Sequence, residues 1–316
     1  MFRLLGYAIM ATLASAQVIS PPSGWPVFNY QGVITDKTKL KYNPTDEFIF
    51  PSVFHTEGKL AKPLGKWYLY YAPHENPGGI SLMYASTPDG PWTEYANNPV
   101  IKNVWSPYYS VPHVSSPDAY WNAEAGRLWV YFHGTNAETR WAETDDGVNF
   151  EYGGIAVTNA MGGVNVTESS YARVFTHPDT TSNYKYAMLY MGNEKDNKRR
   201  IRLAESVNGR NWTVDSKYVV APGSEEAGNV SGPNLWEFDG QLYVLYHASS
   251  GKSYARTIDK TLRNVGTKPI LLHKSSGVGN DTGRVASPDV IVYGGETYLF
   301  YEAGDRLGAT IAWAKT

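Results

Sequence analysis

The chain has 316 residues, with 28 Lys and Arg against 30 Asp and Glu for a formal net charge of −2. That balance gives no electrostatic ground to expect nucleic acid or an acidic membrane surface as partner. Cysteine is absent, which excludes disulfide staples and thiolate chemistry. Aromatic residues are abundant at 14%, including 24 Tyr and 10 Trp. Most are expected to pack strands, and a minority to offer ring faces to sugars in a wet cleft.

Residues 1–16 open on Met1-Phe2-Arg3, continue as an apolar run too short to span a bilayer, and end on Ala14-Ser15-Ala16. This predicts a signal peptide cut after Ala16, a secreted product, and a single domain over residues 17–316. Four Asn-x-Ser/Thr tripeptides, at Asn165, Asn211, Asn229 and Asn280, are glycosylation candidates on such a route.

After the proline-rich stretch 19–24, residues 25–30 read as an outer strand. A two-strand unit then recurs. Its leading strands are 50–54, 116–120, 171–175, 232–236 and 287–291, and its second strands are the apolar runs 67–72, 128–133, 186–191, 242–247 and 297–302. Five copies spaced by roughly 50 to 65 residues predict an all-β, five-bladed β-propeller. Residues 98–101 and 268–271 are expected to close their blades as outer strands. The fifth copy has only a third strand, near 309–314, so the N-terminal strand is predicted to complete that blade and leave no open edge. Asp89-Gly90, Asp146-Gly147 and Asn208-Gly209 mark tight turns after the third strands and carry no chemistry.

The innermost strand of each propeller blade lines the axis. Aligning the copies places Ser52, Asp118, Arg173, Asn234 and Asp289 in one ring, with Phe50, Ser116, Tyr171, Gly232 and Ser287 two places earlier and Glu168 slightly outside. The ends of the second strands add His133, His247 and Glu302, and His113 lies nearby. Polar side chains from five blades aimed at one axis suggest a binding funnel; a water-filled channel with a structural ion would give a similar set.

These residues resemble the five-bladed glycoside hydrolases of the arabinanase, xylosidase and invertase superfamily, family 43 most closely. The resemblance implies a secreted enzyme that cleaves glycosidic bonds with a pair of carboxyl groups. In Ser116-Pro117-Asp118, Asp118 matches the family's blade-two Asp, which tunes the acid and orients substrate. Glu168 resembles the blade-three general acid, without the Gly-Pro that usually follows. The blade-one base is not matched, because Phe50 precedes Pro51 where an Asp should stand. Asp46 and Glu47, just ahead of the first leading strand, and Asp289 across the ring are the candidate replacements, Asp46 equally readable as a turn residue. A neighbouring Asp118 would keep Glu168 protonated near neutral pH.

Arg173, Tyr171, His113, His133, His247, Asn234, Glu302 and Ser52 are expected to contact substrate. Arg173 on the axis either holds a carboxylate ligand or neutralises Asp118 and Asp289. Arginine beside a Tyr or His base is also the equipment of a polysaccharide lyase acting on uronic-acid glycans, the second reading. A non-catalytic sugar-binding propeller is the third, disfavoured because the blades carry different central residues. The reaction requires no cofactor. A structural Ca²⁺ held largely by water, with His247 or His133 as contact, would fit the family resemblance. The expected partner is a glycan, met by a monomer.

Overall fold

The computed structural model describes residues 17–316, so the predicted signal peptide lies outside the described residues. Five four-stranded antiparallel sheets form the five blades. Blade one comprises Ile49–His55, Trp67–Ala72, Ser81–Ala85 and Thr93–Glu94. Blade two comprises Val114–Asn122, Arg127–Gly134, Glu138–Thr144 and Glu151–Thr158. Blade three comprises Val166–Thr176, Tyr186–Glu194, Arg199–Ser206 and Thr213–Val220. Blade four comprises Val230–Phe238, Gln241–Ala248, Ser253–Ile258 and Ile270–His273. Blade five comprises Val285–Tyr293, Glu296–Ala303 and Thr310–Lys315, with Asn29–Val33 as its outer strand.

The N-terminal strand therefore closes blade five, pairing Asn29 with Lys315 and Val33 with Ala312. Its bounds differ from those expected. Only residues 29 and 30 of the predicted 25–30 are in the ladder, while Trp25 leaves the sheet and packs edge-on against Trp236, Phe238 and Tyr243 of blade four. The outer strand of blade four lies where expected but two residues later, at Ile270–His273 rather than 268–271. That of blade one does not: Thr93–Glu94 pairs with the third strand, and of the expected segment only Ile101 bridges, to Ile80.

Five apolar clusters make up the core, one at each blade-to-blade interface. The second strands explain why they read as unbroken apolar runs. Successive side chains point to opposite faces of a strand, and here each face meets a different neighbour. Tyr68 and Tyr70 pack towards blade two, whereas Leu69 and Tyr71 pack towards blade five. Leu128, Val130 and Phe132 face blade one, while Trp129 and Tyr131 face blade three. Burial on both faces removes the polar alternation of an ordinary surface sheet.

The tyrosine hydroxyls that this buries find turn carbonyls of the next blade. Tyr70 Oη donates to Gly147 O at 2.6 Å and Tyr131 Oη to Gly209 O at 2.8 Å. Packing, rather than sugar stacking, thus accounts for most of the aromatic residues.

Candidate functional site

One local device is repeated at the axis. In every leading strand the pairing register slips at the same place, between Ile49 and Ser52, Ser115 and Asp118, Ser170 and Arg173, Ser231 and Asn234, and Ala286 and Asp289. At each slip one residue is left-handed: Phe50 (φ 60°), Ser116 (47°), Tyr171 (55°), Gly232 (54°) and Ser287 (47°). Such a bulge re-aims the flanking side chains, and it divides the column into two tiers.

The lower tier is the ring of Ser52, Asp118, Arg173, Asn234 and Asp289. Much of it is occupied in joining blades. Ser52 Oγ accepts the Ala119 N–H at 2.9 Å, Asp118 Oδ2 that of Val174 at 2.7 Å, and Asp289 Oδ2 that of Val53 at 2.7 Å. Asn234 donates to Asp289 Oδ1 at 2.9 Å. Arg173 donates to Asp118 Oδ1 at 3.1 Å and to Pro51 O at 2.6 Å. Its guanidinium is therefore turned into the ring and neutralises a buried carboxyl, and this removes the residue on which the lyase reading rested. Burial pushes Asp118 up to about 6 despite Arg173 and the Val174 N–H, and it raises Asp289 as well.

The upper tier opens on the funnel. Glu168, on the inner strand of blade three, is buried and takes the Ser170 hydroxyl at 2.8 Å. Its other oxygen is 3.6 Å from Arg199. The expected pairing with Asp118 is replaced by these partners. Glu302, from blade five, accepts Ser287 Oγ at 2.6 Å and the Phe50 N–H at 3.3 Å, and it is paired with Arg284. Where the family-43 resemblance leads one to expect an Asp, Phe50 thus offers its backbone to Glu302, while its ring packs edge-on to Tyr171 at 5.1 Å. Glu168 and Glu302 both bear on the buried Tyr171 hydroxyl, opposed by Arg199 and Arg284. Burial pushes that hydroxyl up to about 12, so it is a proton donor at neutral pH.

The histidines are ordered by their hydrogen bonds. Ser116 Oγ accepts the Tyr171 N–H at 3.3 Å and also hydrogen-bonds His133 Nδ1. Burial and the neighbouring His113 hold His133 well below the usual imidazole range, so the ring is neutral, and its Nε2 shares a hydrogen bond with His113 Nε2 at 3.3 Å. The His74 ring stacks 6.4 Å from that of His113, bringing residues 72–79 over the funnel. Glu47 fixes this loop by accepting the backbone N–H groups of His74 and Glu75 at 2.9 and 3.1 Å. On the opposite side, His247 Nδ1 accepts the Ser287 N–H at 3.1 Å. Burial, with Arg284 and Arg199 nearby, holds this ring well below its ordinary range too, so the neutral imidazole presents Nε2–H.

One expectation needs correction here. Asp46 is no candidate base: its side chain is 68% exposed, 3.1 Å from Lys37, in a left-handed turn outside the funnel. His247 offers no ring lone pair for direct ligation of a cation, since its Nδ1 accepts the Ser287 N–H, and Arg199 and Arg284 add positive charge beside it. Among the described residues no cluster of three His, Cys, Asp or Glu could hold a metal ion.

Arg199, Arg284 and Arg306, which line the mouth with His247, went unnoticed in the sequence. They lie at the start of a third strand, just ahead of a leading strand, and in a loop, where the repeat gives no register. The one available hint was Arg284, directly before Val-Ala-Ser-Pro-Asp. Of the four glycosylation candidates, Asn165, Asn211 and Asn280 are exposed, whereas Asn229 lies half-buried at the funnel wall with its Oδ1 on the Arg199 N–H.

No protein-family model matches this sequence, and no curated protein matches it. Solved structures do. A glycoside hydrolase is similar over 92% of this chain and 92% of its own, at 14% identity and a TM-score of 0.65. The α-L-arabinofuranosidase of Podospora anserina, in complex with cellotriose, is similar over 92% of this chain and 97% of its own, at 10% identity and 0.63. A thermostable family-43 glycoside hydrolase covers 64% of this chain and 68% of its own, at 18% identity and 0.53. At these identities the likeness is one of fold: the chain shares the architecture of the glycoside hydrolases that its repeat resembles.

Proposed function

We propose that the chain is a secreted glycoside hydrolase that cleaves its glycan in the axial funnel. The observation that carries this reading is a pair of buried carboxyl groups, Glu168 on blade three and Glu302 on blade five, each beside an arginine, Arg199 and Arg284, that lines the polar cavity at the funnel mouth. Hydrolysis of a glycosidic bond needs one group to protonate the leaving oxygen and an ionised carboxylate to activate water or stabilise the sugar cation. Glu168 is assigned the proton transfer. Glu302, held by Arg284 and Ser287, is assigned the ionised role. Asp118 and Asp289 support the site from the ring beneath. The fold shared with solved glycoside hydrolases supports the reaction class, and the leader-like residues 1–16 support secretion.

The test is a glycan panel read for new reducing ends. Glu168→Gln and Glu302→Gln are each expected to lower cleavage by about 10²- to 10⁴-fold, the usual worth of acid–base catalysis, without loss of fold by circular dichroism. Retention of wild-type cleavage by both variants would sink the assignment. Release of unsaturated uronides, seen as ultraviolet absorbance, would replace hydrolysis with elimination.

A further inference from the structure

The funnel is unevenly charged. Its wall between blades three, four and five encloses a cavity of about 310 Å³ lined by Arg199, Arg284, Arg306, His247, Asn197 and Asn229, with no acidic side chain in the lining. That volume lies within the range of small-molecule sites. The carboxylates nearest to these arginines do not use them up. Arg199 stands 3.6 Å from Glu168, beyond a hydrogen bond. Arg284 spends one nitrogen on Glu302, and its buried Nε has no hydrogen-bond partner among the described residues. Arg306 meets His74 Nε2 at 3.2 Å and, among the described residues, no carboxylate. His247 adds an Nε2–H donor, because its Nδ1 is occupied by the Ser287 N–H. Asn229 has its oxygen on the Arg199 N–H, which leaves its amide nitrogen to donate.

A concave site furnished with guanidinium, imidazole and amide donors, and lined by no carboxylate, is built for an anion. We propose that this cavity binds the carboxylate of an acidic sugar, so that the enzyme selects glycans carrying a uronic acid residue beside the bond it cleaves. Guanidinium forks match a planar carboxylate through two parallel hydrogen bonds. Three of them around one cavity would compensate the cost of desolvating the charge. A neutral sugar would leave the buried Arg284 Nε–H unpaired, at a cost in affinity. The proposal rests on the hydrolase reading only for its ligand being a sugar; the preference for an anion follows from the cavity itself.

The experiment is calorimetric titration of the full chain with D-glucuronate, D-galacturonate, their neutral parents glucose and galactose, and inorganic sulfate. A uronate is expected to bind at least about tenfold more tightly than its neutral parent, with affinity falling as salt rises. Arg306→Gln, in an exposed loop where folding is not at stake, and Arg284→Lys are expected to erase most of that preference. Equal binding of uronate and neutral sugar, no binding of either, or a preference unchanged in both variants overturns the proposal. Sulfate competing as well as glucuronate overturns the assignment to a sugar. Selective uronate binding without cleavage of any glycan defeats the hydrolase reading and leaves this site standing, whereas cleavage of neutral glycans without uronate preference does the reverse.

Discussion

Arg173 Nη1 lies 3.1 Å from Asp118 Oδ1 with both side chains buried on the propeller axis, while Asp289 in the same ring is held by the N–H of Val53. One guanidinium thus faces two buried carboxyls, and burial raises both. Asp118, pushed up to about 6, keeps its proton further into the neutral range in the folded chain than it would when unfolded. The sign follows from linkage. A carboxyl raised on folding contributes stability that is present in full below its unfolded value, about 3.9, and is lost as pH rises through about 6. Asp118→Asn, which imitates the protonated form, is expected to flatten the thermal-unfolding midpoint between about pH 4 and pH 7 relative to wild type. A variant whose profile runs parallel to wild type across that window would show that Asp118 does not hold the proton.

Removing the cation should be worse than removing one anion. Arg173→Met leaves Asp118 and Asp289 buried without a counter-charge and also frees the Pro51 carbonyl. Stranding a buried charge costs about 3 to 5 kcal/mol. Urea denaturation at neutral pH is expected to show a loss of that size, shrinking at about pH 4.5 as the two carboxyls take up protons. An unchanged unfolding midpoint would mean that Arg173 does not neutralise the ring, and the ligand-facing role would have to be reconsidered.

The ring and the funnel differ in how far the sequence discloses them. Ser52, Asp118, Arg173, Asn234 and Asp289 could be aligned because each sits in a repeated leading strand, and the left-handed bulge two residues earlier recurs in all five. Their work was hidden. Whether Asp118 faces a ligand or the Val174 N–H depends on the rotation between neighbouring blades, which no local pattern encodes. The arginines of the cavity were hidden for the opposite reason. Arg199, Arg284 and Arg306 occupy no repeated position, and they meet only because the blades converge at the mouth. Glu168 and Glu302 were legible as polar residues near the axis, yet their separation into a tier above Asp118 arises from the bulge, which an alignment of side-chain types does not reveal.

Closure of the propeller rests on more than the strand that completes blade five. Trp25 lies just before that strand and meets Trp236, Phe238 and Tyr243 with ring centroids 5.1, 5.3 and 4.9 Å away. It is 8% exposed and belongs to the apolar cluster between blades four and five. Trp25→Ala would empty that site and loosen the outer strand where the chain ends join. A loss of about 3 to 5 kcal/mol is expected in chemical denaturation, together with faster amide exchange in residues 29–33 and 310–315. Full protection of both segments in the variant would show that the strand holds without its aromatic anchor.

Gly232 offers the sharpest test of the two-tier site. At φ 54° it occupies the same left-handed place as Phe50, Ser116, Tyr171 and Ser287, so the backbone there demonstrably accepts a side chain. What excludes one is a neighbour: a Cβ on Gly232 would lie 2.7 Å from His247 Nδ1 and 2.9 Å from its Cε1. The imidazole cannot simply yield, because Nδ1 is the acceptor for the buried Ser287 N–H, and an orphaned buried donor costs about 1 to 3 kcal/mol. Gly232→Ala is therefore expected to destabilise the chain by about 2 to 4 kcal/mol once left-handed strain is included. It should also weaken ligand binding in the funnel by displacing the Nε2–H. In a His247→Ala background the imidazole clash is gone, and the same substitution should cost about 1 to 2 kcal/mol, from backbone strain and a 3.2 Å approach to the Ser287 Cα. A double-mutant cycle reads the difference directly. Additive effects would mean that Gly232 is required by its backbone alone, and that the packing of His247 against it does not shape the site.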